Sequence, residues 1–291
     1  MKIARYDQGA IGAIVGDGVR DLTDLIDPRW QGTPFAINDL IARWDELGEQ
    51  AAELVAQGPE RDLAEVALLA PTPRPQHLFA APLNYKPHVA EMVDSKHAPV
   101  ALRPEHSAAG LGFFLKPSGS ISGPADPILL PPMAGRSFHH EIELGVVIGS
   151  GARGLSVAEA RAHIFGYVCL LDITLRTEGE LQEERVMRKS YESFTPIGPV
   201  IVTADEIDDP DALDLHLEVN GESRQRANTA DLIVGVDELI ARASNVLPLA
   251  PGDVYATGTP EGVGPIEVGD TVTAGVERVG EMELRVERRD W

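Results

Sequence analysis

The chain is poor in cysteine, in lysine and in long apolar runs, and each shortage narrows what it can be. Its single cysteine, Cys169, excludes an internal disulfide framework and fits a reducing compartment. It sits inside an apolar stretch and reads as a core residue, not a nucleophile. Only five residues are lysine, at positions 2, 86, 96, 116 and 189, and 25 basic side chains face 46 acidic ones, for a formal net charge of −21. Nucleic acids and anionic membranes are met by basic patches, so neither is an expected partner. A small anionic substrate would need local positive charge, from a metal or a few Lys and Arg. No apolar run approaches the ~20 residues of a membrane span. The opening Met1-Lys2-Ile3-Ala4-Arg5 lacks the build of a signal peptide, so a cytoplasmic protein is expected. Internal repeats, zinc spacings, phosphate loops and dinucleotide fingerprints are also missing.

What is present is enough for a large core: 291 residues, 43% hydrophobic and 24% charged, within the range of an ordinary globular protein. Residues 1–70 read as a small N-terminal α/β module. Ile11 to Leu22 has the pattern of a hairpin with an Asp-Gly turn. Ala36 to Gly58 carries Ile37, Leu40, Ile41, Trp44, Leu47, Ala51 and Leu54 at helical spacing. Pro71-Thr-Pro-Arg-Pro-Gln76 is a stiff linker, and 71–291 forms the larger unit.

The densest chemistry lies between Ser137 and Gly198. Ser137 to Gly149 and Phe165 to Thr174 are short runs rich in Val, Ile and aromatic residues and bounded by glycine, the signature of strands. On a strand, side-chain alternation puts Glu141 and Glu143 on one face, about 7 Å apart. Asp172 sits in the middle of an otherwise apolar run, where an ionised carboxylate is costly unless a cation compensates it. Three oxygen ligands without cysteine suit a hard divalent ion, Mg²⁺ with Mn²⁺ or Ca²⁺ as alternatives. Solvent-facing edge-strand carboxylates are the other reading of the same residues. Upstream, Pro87 can open a short helix on which His88 and Glu91, three apart, share a face. A carboxylate against an imidazole raises its basicity, as a general base requires; a surface pair is the alternative. Ser156 with Glu159 has the form of a capping box. Asp231 to Val246 reads as a helix, and Tyr85 to Gly112 as a mobile lid.

Taken together, His139-His140-Glu141-Ile142-Glu143-Leu144-Gly145, Gly166-Tyr167 with Asp172-Ile173-Thr174, and Arg188-Lys189-Ser190 with Thr195-Pro196-Ile197-Gly198-Pro199 resemble the fumarylacetoacetate hydrolase family. So do Asn84-Tyr85-x-x-His88-x-x-Glu91 and Gly252-Asp253 through Thr257-Gly258-Thr259-Pro260. The resemblance spans about 71–285. It implies an α+β, strand-rich fold, a β-roll of twisted sheets beside the small N-terminal domain, and a homodimer. It further implies a metal-dependent hydrolase of carbon–carbon bonds in 2,4-dioxo acids, of the acylpyruvate or fumarylpyruvate type met in aromatic catabolism.

The resemblance assigns Glu141, Glu143 and Asp172 to the metal, and His88, Glu91 and Lys189 to catalysis. Lys116, Arg176 and Thr259 are assigned to the substrate. His88 would activate water, and a pyruvate enolate would be held by the metal and Lys189. An oxaloacetate-type decarboxylase or a 2-hydroxydienoate isomerase would use the same enolate. A non-catalytic oxo-acid binder would need neither Lys189 nor the His88–Glu91 pair. One departure stands out: relatives often continue Arg-Asp-x-Gln, where this chain has Arg176-Thr177-Glu178-Gly179, with its glutamine at Gln182.

Overall fold

A computed structural model describes residues 1–94, 106–176 and 183–290. The Gln182 position and part of the expected lid, 95–105, lie outside the described residues. The fold is mixed and strand-rich, built on a twelve-stranded sheet. Its main path runs Glu60–Asp62, Gly18–Asp21, Ala10–Val15, Lys2–Tyr6, Thr195–Thr203, Ile164–Leu171, Ile142–Ile148, Val254–Ala256, Leu78–Ala80, Phe114–Lys116. A five-stranded sheet is ordered Glu222–Asn228, Asp214–Val219, Thr271–Val276, Gly280–Arg288, Ile128–Leu130. A small third sheet joins Thr174–Leu175, Phe138–His140 and Gly264–Ile266.

The two central strands Ile142–Ile148 and Ile164–Leu171 are buried along their whole length, and apart from Glu143 they are built of apolar residues, glycine and Tyr167 rather than of alternating polar ones. Ile142, Leu144, Val146, Tyr167, Cys169 and Leu171 pack into one core with Leu215, Leu217, Ala274 and Leu284 of the five-stranded sheet. Val147, Phe165, Val168 and Leu170 face the other way, against Ile37, Leu40 and Ile41. Trp44 meets Phe165 edge-on, ring centroids 5.2 Å apart. Residues 1–70 therefore share the large sheet: Lys2 and Ile3 pair with Val202 and Ile201.

Local details differ from the sequence reading. The two-residue hairpin turn is Gly16-Asp17, one position earlier than expected, with Gly16 at φ +56° and Val15 paired to Gly18. The long helix is two, Ala36–Ala42 and Trp44–Gln57. Arg43 breaks it, leaving helical geometry at φ −111°, ψ 17° while its guanidinium donates to the Leu25 carbonyl at 2.7 Å. The Asp231 helix starts only at Val236, because Ile233 and Val234 give their amides to the Asn84 backbone carbonyl and side chain. Glu159 accepts from the Ser156 amide at 2.9 Å, as a capping box requires.

Candidate active site

Glu141 is not inside a continuous strand. Phe138–His140 belongs to the small sheet and Ile142–Ile148 to the large one, so the chain changes sheets at Glu141. Its carbonyl still accepts from the Asp172 amide at 2.8 Å, which brings the two carboxylates side by side. Glu143 pairs across the sheet with Leu170, and Asp172 lies two residues further on. One ligand oxygen from each of Glu141, Glu143 and Asp172 lies within 4.8 Å of the others, and all three residues are buried. A single divalent ion at 2.0–2.6 Å from hard oxygen donors matches that spacing and donor set.

The positive charges that make three buried carboxylates tolerable surround them. Lys189 Nζ donates to Glu141 and Asp172, both at 2.7 Å, and to Thr174 Oγ1 at 2.6 Å. Lys116 Nζ donates to Asp172 and to the Phe194 carbonyl. Arg176 donates to Glu141 at 2.6 Å. Burial alone would raise the Glu141 carboxyl, but Lys189 and Arg176 hold it well below the usual carboxylate range. Glu143 goes the opposite way: burial and the neighbouring Asp172 raise it well above that range. Burial also lowers the Lys116 ammonium, with Asp172 opposing and Lys189 adding to the shift.

His88 and Glu91 sit on the helix Lys86–Asp94. The Glu91 carboxylate lies 3.0 Å from His88 Nδ1 and accepts the Gly262 amide at 3.1 Å. With Nδ1 occupied, Nε2 is the nitrogen left for a proton transfer. His88, the three carboxylates, Arg176, Lys189 and Thr259 all line one cavity of about 290 Å³, with Phe114 on its wall. Lys116 stands behind Asp172. A larger cavity, about 490 Å³, lies between the N-terminal helices and the sheet beside Trp44 and Phe165; it gathers none of these groups.

Two backbone details shape the rim. Gly258 gives its amide to Glu143 at 2.6 Å, so that N–H holds a carboxylate of the chain rather than one of a substrate. Its φ is +102°, and a Cβ there would sit 2.7 Å from Asn84 Cβ, so glycine is required. Asn84, fully buried, spends its side chain on the Val234 backbone and the Thr257 carbonyl.

Gln225 has no counterpart in the sequence reading. Its Oε1 accepts from the Ile142 amide and lies 3.1 Å from His140 Nδ1. Its Nε2 donates to the Pro260 carbonyl and to Thr259 Oγ1, both at 2.9 Å. A backbone donor on one side and a backbone acceptor on the other fix the amide orientation. Two consequences follow. His140 must carry its proton on Nδ1, which agrees with burial pushing it down to about 4. Thr259 accepts from Gln225, so its own hydroxyl proton is free to point into the cavity.

A buried carboxylate triad beside a histidine–carboxylate pair and a lysine is an arrangement that can hold a divalent ion and move protons. Residues 77–287 match the family model "Fumarylacetoacetate (FAA) hydrolase C-terminal", and the chain belongs to that family. It is 40% identical over 290 residues to the maleylpyruvate hydrolase of Aquipseudomonas alcaligenes, covering 98% of this chain and 99% of that one. A crystal structure of maleylpyruvate hydrolase from Sphingobium sp. SYK-6, in complex with manganese(II) and pyruvate, superposes with a TM-score of 0.86 at 38% identity, covering 99% of both chains. The mitochondrial oxaloacetate tautomerase of Bos taurus is 36% identical over 211 residues, 72% of this chain and 90% of that one.

Proposed function

We propose that this chain is a divalent-metal-dependent hydrolase that cleaves the carbon–carbon bond of a 2,4-dioxo acid of the maleylpyruvate or acylpyruvate kind, releasing pyruvate. The observation that carries this reading is the convergence of Glu141, Glu143, Asp172, Lys189 and the His88–Glu91 pair on one cavity. Glu141, Glu143 and Asp172 would hold Mg²⁺ or Mn²⁺, which would supply Lewis-acid polarisation of the oxo acid. Arg176 and the free Thr259 hydroxyl hold the substrate carboxylate. Glu91 orients His88, whose Nε2 takes a proton from water as the water oxygen bonds to the distal carbonyl carbon. The bond between that carbon and the methylene breaks, and its electron pair becomes the enolate of pyruvate. The Lys189 ammonium stabilises the charge on the enolate oxygen, and return of the proton from His88 to the methylene carbon completes the reaction.

A second reading is decarboxylation of an oxaloacetate-type acid through the same enolate, which needs no activated water; the likeness to the Bos taurus oxaloacetate tautomerase favours that substrate. His88→Ala separates the two. Hydrolysis of an acylpyruvate should fall roughly 10²–10⁴-fold, with oxaloacetate decarboxylation much less affected, whereas Lys189→Ala should damage both. Intact hydrolysis in the His88 variant would discard the water-activating role and leave the second reading. We propose also a cytoplasmic homodimer in which 71–291 is the catalytic unit and 1–70 a packing module. Light scattering in solution checks the dimer.

A further inference from the structure

The cavity has a second cationic wall that the proposed chemistry does not use. Arg185 and Arg188 both line it, one turn apart on the short helix Arg185–Arg188. Arg188 gives its guanidinium only to backbone carbonyls, those of Glu183 at 3.1 Å and Leu175 at 3.2 Å. Arg185 has no hydrogen bond or ion pair among the described residues, and its guanidinium lies over the Phe114 ring, 5.6 Å from the centroid. Among the described residues, the acids beside this helix are engaged elsewhere. Glu183 is bound by Arg136 at 2.6 Å and 3.2 Å, and the Glu184 side chain accepts from the Val186 amide at 3.4 Å. Burial lowers the Arg188 guanidinium, and the adjacent Arg176 and Arg185 lower it further. Two like charges one turn apart repel. In a chain with a net charge of −21, leaving both without a carboxylate partner among the described residues is unusual, and a guanidinium fork is the best-matched receptor for one.

Phe114 fixes what lies between the two ends. Lys189, at the carboxylate triad, is 5.7 Å from the centroid of the same ring that Arg185 covers. A ligand held at the triad and reaching Arg185 would have this ring beside it, which suits a flat, unsaturated or apolar middle. We propose that Arg185, supported by Arg188, binds a second carboxylate at the far end of the substrate, so that the enzyme selects dicarboxylic 2-oxo acids over monocarboxylic ones of equal length. The inference rests on the reading of this cavity as an oxo-acid site, and it narrows the substrate class within it.

The test uses binding, so that it does not depend on turnover. Calorimetric titration of the Mn²⁺-loaded enzyme with 2-oxoadipate and with 2-oxohexanoate, which differ only in the terminal carboxylate, gives a diacid preference. A charge-assisted pair should make that preference roughly 10- to 100-fold. Arg185→Gln should collapse it towards unity, and Arg185→Lys should restore part of it, which loss of fold would not. Equal wild-type affinities, or an undiminished preference in Arg185→Gln, would overturn the proposal. Hydrolysis of maleylpyruvate and of 2,4-dioxopentanoate is assayed in parallel. A preserved diacid preference with no hydrolysis of either would overturn the proposed reaction and leave the second carboxylate site standing.

Discussion

Gln225→Leu removes a side chain that is 1% exposed and tied to five partners, His140, Ile142, Thr259, Pro260 and Glu261. Leucine has nearly the same volume, so the effect should come from lost hydrogen bonds rather than from a cavity. The Ile142 amide and His140 Nδ1–H are left as buried donors, each costing about 1–3 kcal/mol. Together that is roughly 2–6 kcal/mol, a large part of the 5–15 kcal/mol that holds a typical protein folded. At about 2–4 °C per kcal/mol for chains somewhat shorter than this one, the melting temperature should fall by several degrees at least. Gln225→Glu probes function more finely. It keeps the acceptor for Ile142 and His140 but turns the donor facing Thr259 into an acceptor. The Thr259 proton is then drawn to the new carboxylate and away from the cavity, so KM for an oxo acid should rise more than kcat falls. Thermal melts and steady-state kinetics on both variants decide the matter. If Gln225→Leu melted with the wild type and Gln225→Glu kept its KM, the clip between the metal strand and the Thr259 turn would carry no weight.

Other outcomes follow from the same geometry. Chelation should abolish activity, and Mg²⁺ or Mn²⁺ should restore it; changing Glu141, Glu143 or Asp172 to its amide should weaken Mn²⁺ binding more than tenfold by calorimetry, since a charged ligand is lost. Gly258→Ala should be poorly tolerated, because φ +102° and the 2.7 Å approach to Asn84 Cβ both oppose a side chain. Strain of this kind costs about 1–3 kcal/mol, read as a lower melting temperature and weaker metal binding. Cys169, fully buried and with its thiol pushed up to about 12 by burial, should resist a thiol reagent at pH 8 in the native protein and react stoichiometrically in denaturant.

The acidic and basic residues singled out in the sequence are dense and local, which is why they were readable. Glu141, Glu143, Asp172 and Lys189 fall within 49 residues, and His88 with Glu91 needs only one turn of helix. Gln225 gave no such signal. It stands in a strand whose neighbours Glu222, Ser223, Arg224 and Arg226 are exposed, and only the packing of that strand against Thr259 gives it work. Arg185 gave no signal either, and Arg188 entered only as a neighbour of Lys189 in the Arg188-Lys189-Ser190 motif, because the meaning of both depends on which acids are already engaged. The change of sheets at Glu141 was hidden for another reason: both halves of 138–148 have strand composition, and composition does not say which sheet a strand joins. Pairing of Lys2 with Val202 spans 200 residues of chain, beyond the reach of any periodic pattern.

That last pairing has a bearing on engineering. Val202 and Ile201 belong to a strand whose other side pairs with Tyr167 and, further along, Leu170, two residues from Asp172. Cutting away the first seventy residues would strip Lys2–Tyr6 from one side of that strand and uncover Phe165, Val168 and Leu170 on the sheet face. The remainder would present unpaired amides and carbonyls next to a bare apolar surface, the combination that seeds edge-to-edge aggregation. A minimal enzyme trimmed to the family-model boundaries would therefore need a substitute strand and cover, or charged and proline gatekeepers along 199–203, before it could stay in solution.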